Sequence, residues 1–220
     1  ASVVHLQHES MKMKCIQEIH IPDARQIRVL HEDDQGNLWI GTENAIYQYS
    51  ISDGNMRRIH KDTGAINGIA ISPDKAIYYI TEMPEFSCLT PDGQVHFIHK
   101  GENYSSIIIS PDNKILTATL EGNVYSYHPQ LQTLVKEDNA CNTNGDAVKS
   151  MTVDNLGHLW ILADQYVKEY NPKNHSFRIL YNSDRFIQVD YFLSIGKIEN
   201  GTICLGGIGA FCLATPSPEL

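Results

Sequence analysis

The chain has 220 residues, 42% hydrophobic and 20% charged, which suits a folded protein of one large domain or two small ones. A formal charge of −9, with 17 Lys and Arg dispersed among 26 acids, excludes nucleic acid and anionic membrane surfaces as partners, since both need basic patches. No apolar run nears the roughly 18–20 residues that cross a bilayer, and an odd count of five cysteines, none in a CxxC, excludes a fully paired disulfide scaffold.

Residues 1–26 read as the tail of a repeat: a strand around Val3–Leu6, a turn at Glu9-Ser10 and a strand from Met13 to Ile21. Ala1-Ser2-Val3-Val4 lacks the basic start and apolar core of a signal peptide, so the chain is expected to be cytosolic, or a mature or excised piece of an exported protein. Ile27–Ile59 then sets the repeating unit. An extended run ends in a turn at Glu32–Asn37, a compact strand follows at Leu38-Trp39-Ile40, a third runs Ala45–Ser50, and a second turn at Ser52–Asn55 leads to a fourth, Met56–Ile59. Four strands joined by tight turns in about 40 residues make an antiparallel meander that must stack on copies of itself. The copies recur near Ile66–Ile98, Tyr104–Glu137 and Val148–Tyr181, with a fifth from about Gln188. Trp39, Tyr78, Leu116, Trp160 and Cys204 centre the second strands at spacings of 39, 38, 44 and 44 residues.

Asp, Asn and Gly at the hairpins supply the left-handed backbone that such turns need. The triplets Leu38-Trp39-Ile40 and Leu159-Trp160-Ile161 are apolar on consecutive residues, as in strands buried on both faces. The expected fold class is therefore all-β, a β-propeller of four-stranded antiparallel blades, about five in this chain. The repeats fall at roughly 27–65, 66–103, 104–147, 148–187 and 188–214, with 1–26 the end of a preceding or composite blade.

The run DxxGNLWIGTxxxIYxY in Asp33–Tyr49, DNLGHLWI in Asp154–Ile161 and the closing ENGTICLGGIGAFCL resemble two-component regulator propeller repeats. The first unit matches almost position for position and the fourth well; the second and third, with Ser-Pro-Asp turns, are nearer to generic propeller repeats. The resemblance implies the periplasmic sensor of a membrane-bound hybrid histidine kinase, responding to complex carbohydrate, with the remaining blades and the kinase portion elsewhere on the same polypeptide. Pairing of Met13–Ile21 with the C-terminal strands would close a five-bladed ring and remove exposed edges. The alternative is an open arc of a larger propeller, toward which the larger blade number usual in the family tips.

In a propeller, the connections between blades and the loops between second and third strands share one face. Their side chains here include Arg25, Glu43, Glu82, Tyr104, Glu121, Asp146, Tyr166 and Arg185, which offer aromatic, carboxylate and guanidinium groups to an oligosaccharide or other polar ligand. Glu43, Glu82 and Glu121 recur at steps of 39 residues, so they are either polar loop starts or a ring of carboxylates at the channel mouth. Ten histidines are dispersed without a ligand pattern, and Glu32-Asp33-Asp34 lacks the alternation of a calcium loop. No metal or cofactor is expected, and no GxSxG or phosphate loop points to catalysis. The alternative function is a propeller enzyme of lactonase or lyase type with a metal in its channel; a homodimer is a further expected partnership. Cys204 and Cys212 are near enough in sequence to face each other across a hairpin, but a bond between them is not expected.

Overall fold

The computed structural model describes residues 1–9, 12–61, 63–138, 141–181, 192–198, 200–208 and 211–220. Among them there is no helix; every regular element is a strand, and all pair antiparallel in sequence order. The chain divides into two compact units, residues 1–69 and 70–220.

In the first unit, β1 (Ser2–Glu9) and β2 (Lys12–His20) form a hairpin. The first blade follows in the order β3 (Ile27–Glu32), β4 (Asn37–Thr42), β5 (Ala45–Ser50), β6 (Met56–Lys61). Ile19, Ile21 and Ala24 pack with Ile40, Ala45, Tyr47 and Tyr49 in one core. The tyrosine hydroxyls fasten hairpin and connection to the blade: Gln17 Nε2 donates to Tyr49 at 2.7 Å and Tyr47 donates to the Pro22 carbonyl at 2.8 Å. The division between units falls within β7 (Ile66–Ile71), the first strand of the second blade.

The second blade continues with β8 (Ile77–Thr81), β9 (Glu85–Leu89) and β10 (Val95–Lys100). The third comprises β11 (Tyr104–Ile109), β12 (Ile115–Thr119), β13 (Val124–His128) and β14 (Thr133–Lys136). The fourth comprises β15 (Val148–Val153), β16 (Leu159–Ala163), β17 (Tyr166–Tyr170) and β18 (Phe177–Tyr181). The last sheet has three described strands, β19 (Phe192–Lys197), β20 (Ile203–Gly207) and β21 (Phe211–Ala214). Within the second unit the first strands of successive blades are neighbours, β11 beside β15 and β15 beside β19, as expected when blades stand edge-on round an axis. β8, β12 and β16 are buried at every residue, which explains their unbroken apolar runs. The fold is thus an all-β propeller built of antiparallel blades.

Cys204 and Cys212 do not stand directly opposite each other. The register sets Cys204 opposite Leu213 and Cys212 opposite Leu205, and both are free thiols.

Candidate functional site

In blades one to four one side chain ties the first hairpin. In the first blade Asp33 Oδ1 accepts the main-chain N–H of Gln35 and of Asn37, both at 2.9 Å, and Oδ2 accepts Trp39 Nε1 at 2.9 Å. In the fourth, Asp154 Oδ1 accepts Leu156 and His158 N–H at 2.8 and 2.9 Å, and Oδ2 accepts Trp160 Nε1 at 2.8 Å. Gly36 and Gly157 take left-handed φ values of 73° and 85° at the turn end. Burial works to raise the Asp33 carboxyl, but the bonds from Trp39, Asn37 and Gln35 outweigh it and hold the group at about 2. The acidic Glu32-Asp33-Asp34 stretch therefore builds a turn. In blades two and three Ser72 and Ser110 take the Asp position and donate to the Ala76 and Lys114 carbonyls at 3.0 and 3.2 Å. Their left-handed residues are Lys75 and Asn113.

The loops predicted to carry a ligand are cross-braced. Glu43 accepts the main-chain N–H of Arg25 at 2.7 Å and of Gln26 at 3.1 Å, so the Arg25 connection is clamped to its own blade. The bond from Arg25 holds the Glu43 carboxyl below its ordinary range. Glu121 does the same work in the third blade, accepting Asn103 Nδ2 at 2.7 Å while Leu120 N–H bonds the Asn103 carbonyl at 2.9 Å. Glu82 is exposed at the equivalent loop. In the second unit three predicted positions come together. Thr143 N–H and Oγ1 both donate to the Gly122 carbonyl, at 3.0 and 3.1 Å, tying the 143–146 connection to the Glu121-Gly122 turn. Tyr166 donates to the Thr143 carbonyl at 3.0 Å, and Thr143 Oγ1 also bonds the Asp146 carbonyl. Lys149 pairs with Asp164 at 2.9 Å nearby in sequence on the β16–β17 loop. The Glu121-Gly122 turn, the 143–146 connection and Tyr166 are thus tied together through Thr143.

Tyr104 corrects the expectation of a ligand platform. It is 2% exposed, meets Phe86 edge-on at 5.8 Å between centroids, and bonds His99 Nδ1 at 2.6 Å through its hydroxyl. Its ring packs the blade core and presents no face to solvent. Arg185 lies outside the described residues.

The densest polar cluster was not anticipated. Asp154, His158 and Glu169, all buried, hold ligand-type atoms within 4.8 Å of one another and form the group among the described residues able to share a metal ion. Their atoms already have partners. His158 Nδ1 lies 2.9 Å from Glu169 Oε1, which also accepts Ser217 N–H at 3.0 Å; Arg178 Nε donates to Glu169 Oε2 at 2.5 Å. Arg178 Nη2 reaches the Thr215 carbonyl at 2.9 Å, and Asn171 Nδ2 the Leu220 carbonyl at 2.7 Å. The cluster pins the C-terminal segment to the blade, a structural role that already engages both carboxylates and His158 Nδ1. Beside it Lys168, 2% exposed, donates to the Asn142 carbonyl at 2.6 Å and sits 4.8 Å from the Phe177 ring centroid; burial lowers its affinity for protons. The sequence signal for this cluster was Lys168-Glu169, adjacent charges inside an otherwise buried strand, with Arg178 nine residues on.

Residues 21–44 match the family model described as two component regulator propeller. No curated protein matches the chain in sequence. Among solved structures, an extracellular domain from B. thetaiotaomicron, described as belonging to a hybrid two-component system, superposes with a TM-score of 0.75 at 19% identity, over 96% of this chain and 31% of that one. A second such domain from that organism gives 0.70 at 17% identity, over 90% of this chain and 28% of that one. Virginiamycin B lyase from Staphylococcus aureus gives 0.68 at 13% identity, over 87% and 71%. At these identities the likeness is one of fold. The chain spans less than a third of the length of the two sensor-system domains.

Proposed function

We propose that this chain, which carries a two-component regulator propeller repeat at residues 21–44, is the ligand-sensing propeller portion of a hybrid two-component signalling protein. It acts outside the cytoplasm, in the periplasm, and catalyses no reaction itself. The observation that carries this reading is the coincidence of that repeat with a fold shared, over nine-tenths or more of the chain, with extracellular domains of such systems. The tied segments that carry Glu121, Asp146 and Tyr166 supply carboxylates and a half-buried aromatic, groups suited to the hydroxyls and ring faces of an oligosaccharide. Cross-bracing through Thr143 and Gly122 makes them a rigid platform, and rigid bodies signal by moving relative to others. The partners are a second copy of the chain and the kinase portion of the same polypeptide.

Calorimetric titration with a panel of plant and host oligosaccharides tests this. At least one should bind saturably, and Glu121→Ala or Asp146→Ala should weaken it about tenfold; absence of binding across the panel removes the carbohydrate ligand. A second reading, a propeller enzyme, draws on the fold shared with virginiamycin B lyase. Metal-dependent hydrolysis of a lactone that disappears in Glu82→Gln would replace the sensor reading with it.

A further inference from the structure

An asparagine amide is attacked by the next main-chain nitrogen most readily where that next residue is glycine, which has no Cβ to bar the approach. The chain holds three Asn-Gly pairs, Asn67-Gly68, Asn144-Gly145 and Asn200-Gly201, and the fold treats them differently. Asn67 and Gly68 lie within β7, and Asn67 Oδ1 accepts a hydrogen bond from Arg28 Nη2 at 2.9 Å. Gly201 is buried against the Asn155 side chain. Its N–H donates to the Ile198 carbonyl at 2.9 Å, and Asn200 Oδ1 accepts Thr202 N–H at 2.9 Å.

Asn144 and Gly145 are both exposed. They occupy the centre of a turn from Thr143 to Asp146, with left-handed φ values of 57° and 97°. Asp146 N–H closes the turn on the Thr143 carbonyl over a long 3.3 Å, helped by the Thr143 hydroxyl on the Asp146 carbonyl. Among the described residues, neither the Asn144 side chain nor the Gly145 N–H has a hydrogen-bond partner. An exposed turn so lightly held opens locally at little cost, which lets the amide and the nitrogen swing into line.

We infer that Asn144-Gly145 is a self-modifying site, whose conversion to isoaspartate releases the 143–146 connection from the Glu121-Gly122 turn and Tyr166. Gly145 N bonds to Asn144 Cγ and gives up its proton; Nδ2 leaves with that proton as ammonia, and a cyclic imide remains. Water then opens the imide at either carbonyl. Opening at Cγ gives aspartate. Opening at the main-chain carbon gives isoaspartate, with the chain rerouted through Cγ and one methylene longer. The connection fits its neighbours closely: Thr143 N–H donates to the Gly122 carbonyl at 3.0 Å, and Tyr166 donates to the Thr143 carbonyl at 3.0 Å. A Cβ on Gly122 would already meet the Asp146 carbonyl oxygen at 2.8 Å. A longer chain carrying a new charge breaks that fit.

The full chain is aged in warm, mildly alkaline buffer and digested for mass spectrometry, with electron-transfer fragmentation to separate aspartate from isoaspartate. A gain of one mass unit is expected at Asn144 at least tenfold faster than at Asn67 or Asn200, with isoaspartate the major product. Amide exchange at Thr143 and Asp146 should then quicken at least tenfold in the aged protein. Asn144→Gly, which keeps the left-handed turn without the reactive amide, should hold its exchange rates on ageing. No gain at Asn144, or equal rates at the three pairs, would overturn the site. Unchanged exchange in the modified protein, or equal quickening in Asn144→Gly, would overturn the release.

Discussion

The first and fourth blades share a turn and differ in what stands beside it. Asp33 and Asp154 each cap a hairpin and bond a tryptophan six residues on, and the two strand registers agree row for row. Yet the row beyond Trp39 is Gln48 and Arg57, while that beyond Trp160 is Glu169 and Arg178, with His158 where Asn37 stands. Where the exposed arginine of the first blade faces an amide, that of the fourth faces a buried carboxylate, and a piece of chain lies over the pair. The turn is common to these two blades; the row next to it is where they differ.

The largest effect should come from Glu169→Ala. It leaves Arg178 without its carboxylate, strips His158 and Ser217 N–H of an acceptor, and should cost about 3–5 kcal/mol in urea unfolding. Gln48→Ala in the first blade should cost less than about 1 kcal/mol; equal costs would erase the distinction between the rows. Next, Asp154→Ala orphans the fully buried Trp160 Nε1 and should cost about 2–3 kcal/mol, against about 1 kcal/mol for Asp33→Ala, whose surroundings are wetter.

Acid sharpens the same pair. The Asp33 carboxyl is depressed to about 2 in the fold, so its contribution is complete above the unfolded value near 3.8 and is lost as pH falls through about 2. After discounting for solvent screening this amounts to about 1 kcal/mol. Asp33→Asn should flatten that part of the stability profile between pH 4 and 2; an unchanged slope would show the hydrogen bonds are not what lowers the group.

How far the residues foretold these features depends on the range of the interaction. The blades were legible because a hairpin is local: turn residues, a compact apolar strand and a period near 40 all lie within one repeat. Trp39 and Trp160 were legible as packing residues for the same reason. Glu43 and Glu121 were visible as a recurrent acid, but their partners Arg25 and Asn103 lie eighteen residues back, and nothing local says that the carboxylate braces a connection. Tyr104 looked like a loop aromatic because it stands first in β11; only the packing of Phe86 and His99 buries it. The Glu169 cluster depends on Ser217, forty-eight residues on, a distance at which pattern carries no information.

The smallest expected effect concerns the blades with serine turns. Lys75 holds a left-handed φ of 67° that glycine adopts without strain. Lys75→Gly should therefore be neutral or stabilise by up to about 1 kcal/mol, whereas Gly36→Ala and Gly157→Ala, with open space around both, should destabilise by about 1 kcal/mol each and equally. A difference between those two glycines would mean that the turns are less alike than their bonds.

The last six residues cross the fourth blade fastened at Arg178, Glu169 and Asn171. A tug along that tail would not unzip a ladder rung by rung. It would shear three separate fasteners, and the middle one leads through Glu169 and His158 toward the carboxylate that holds the Trp160 ring. Tension on residues 215–220 would thus be felt first in the interior of one blade.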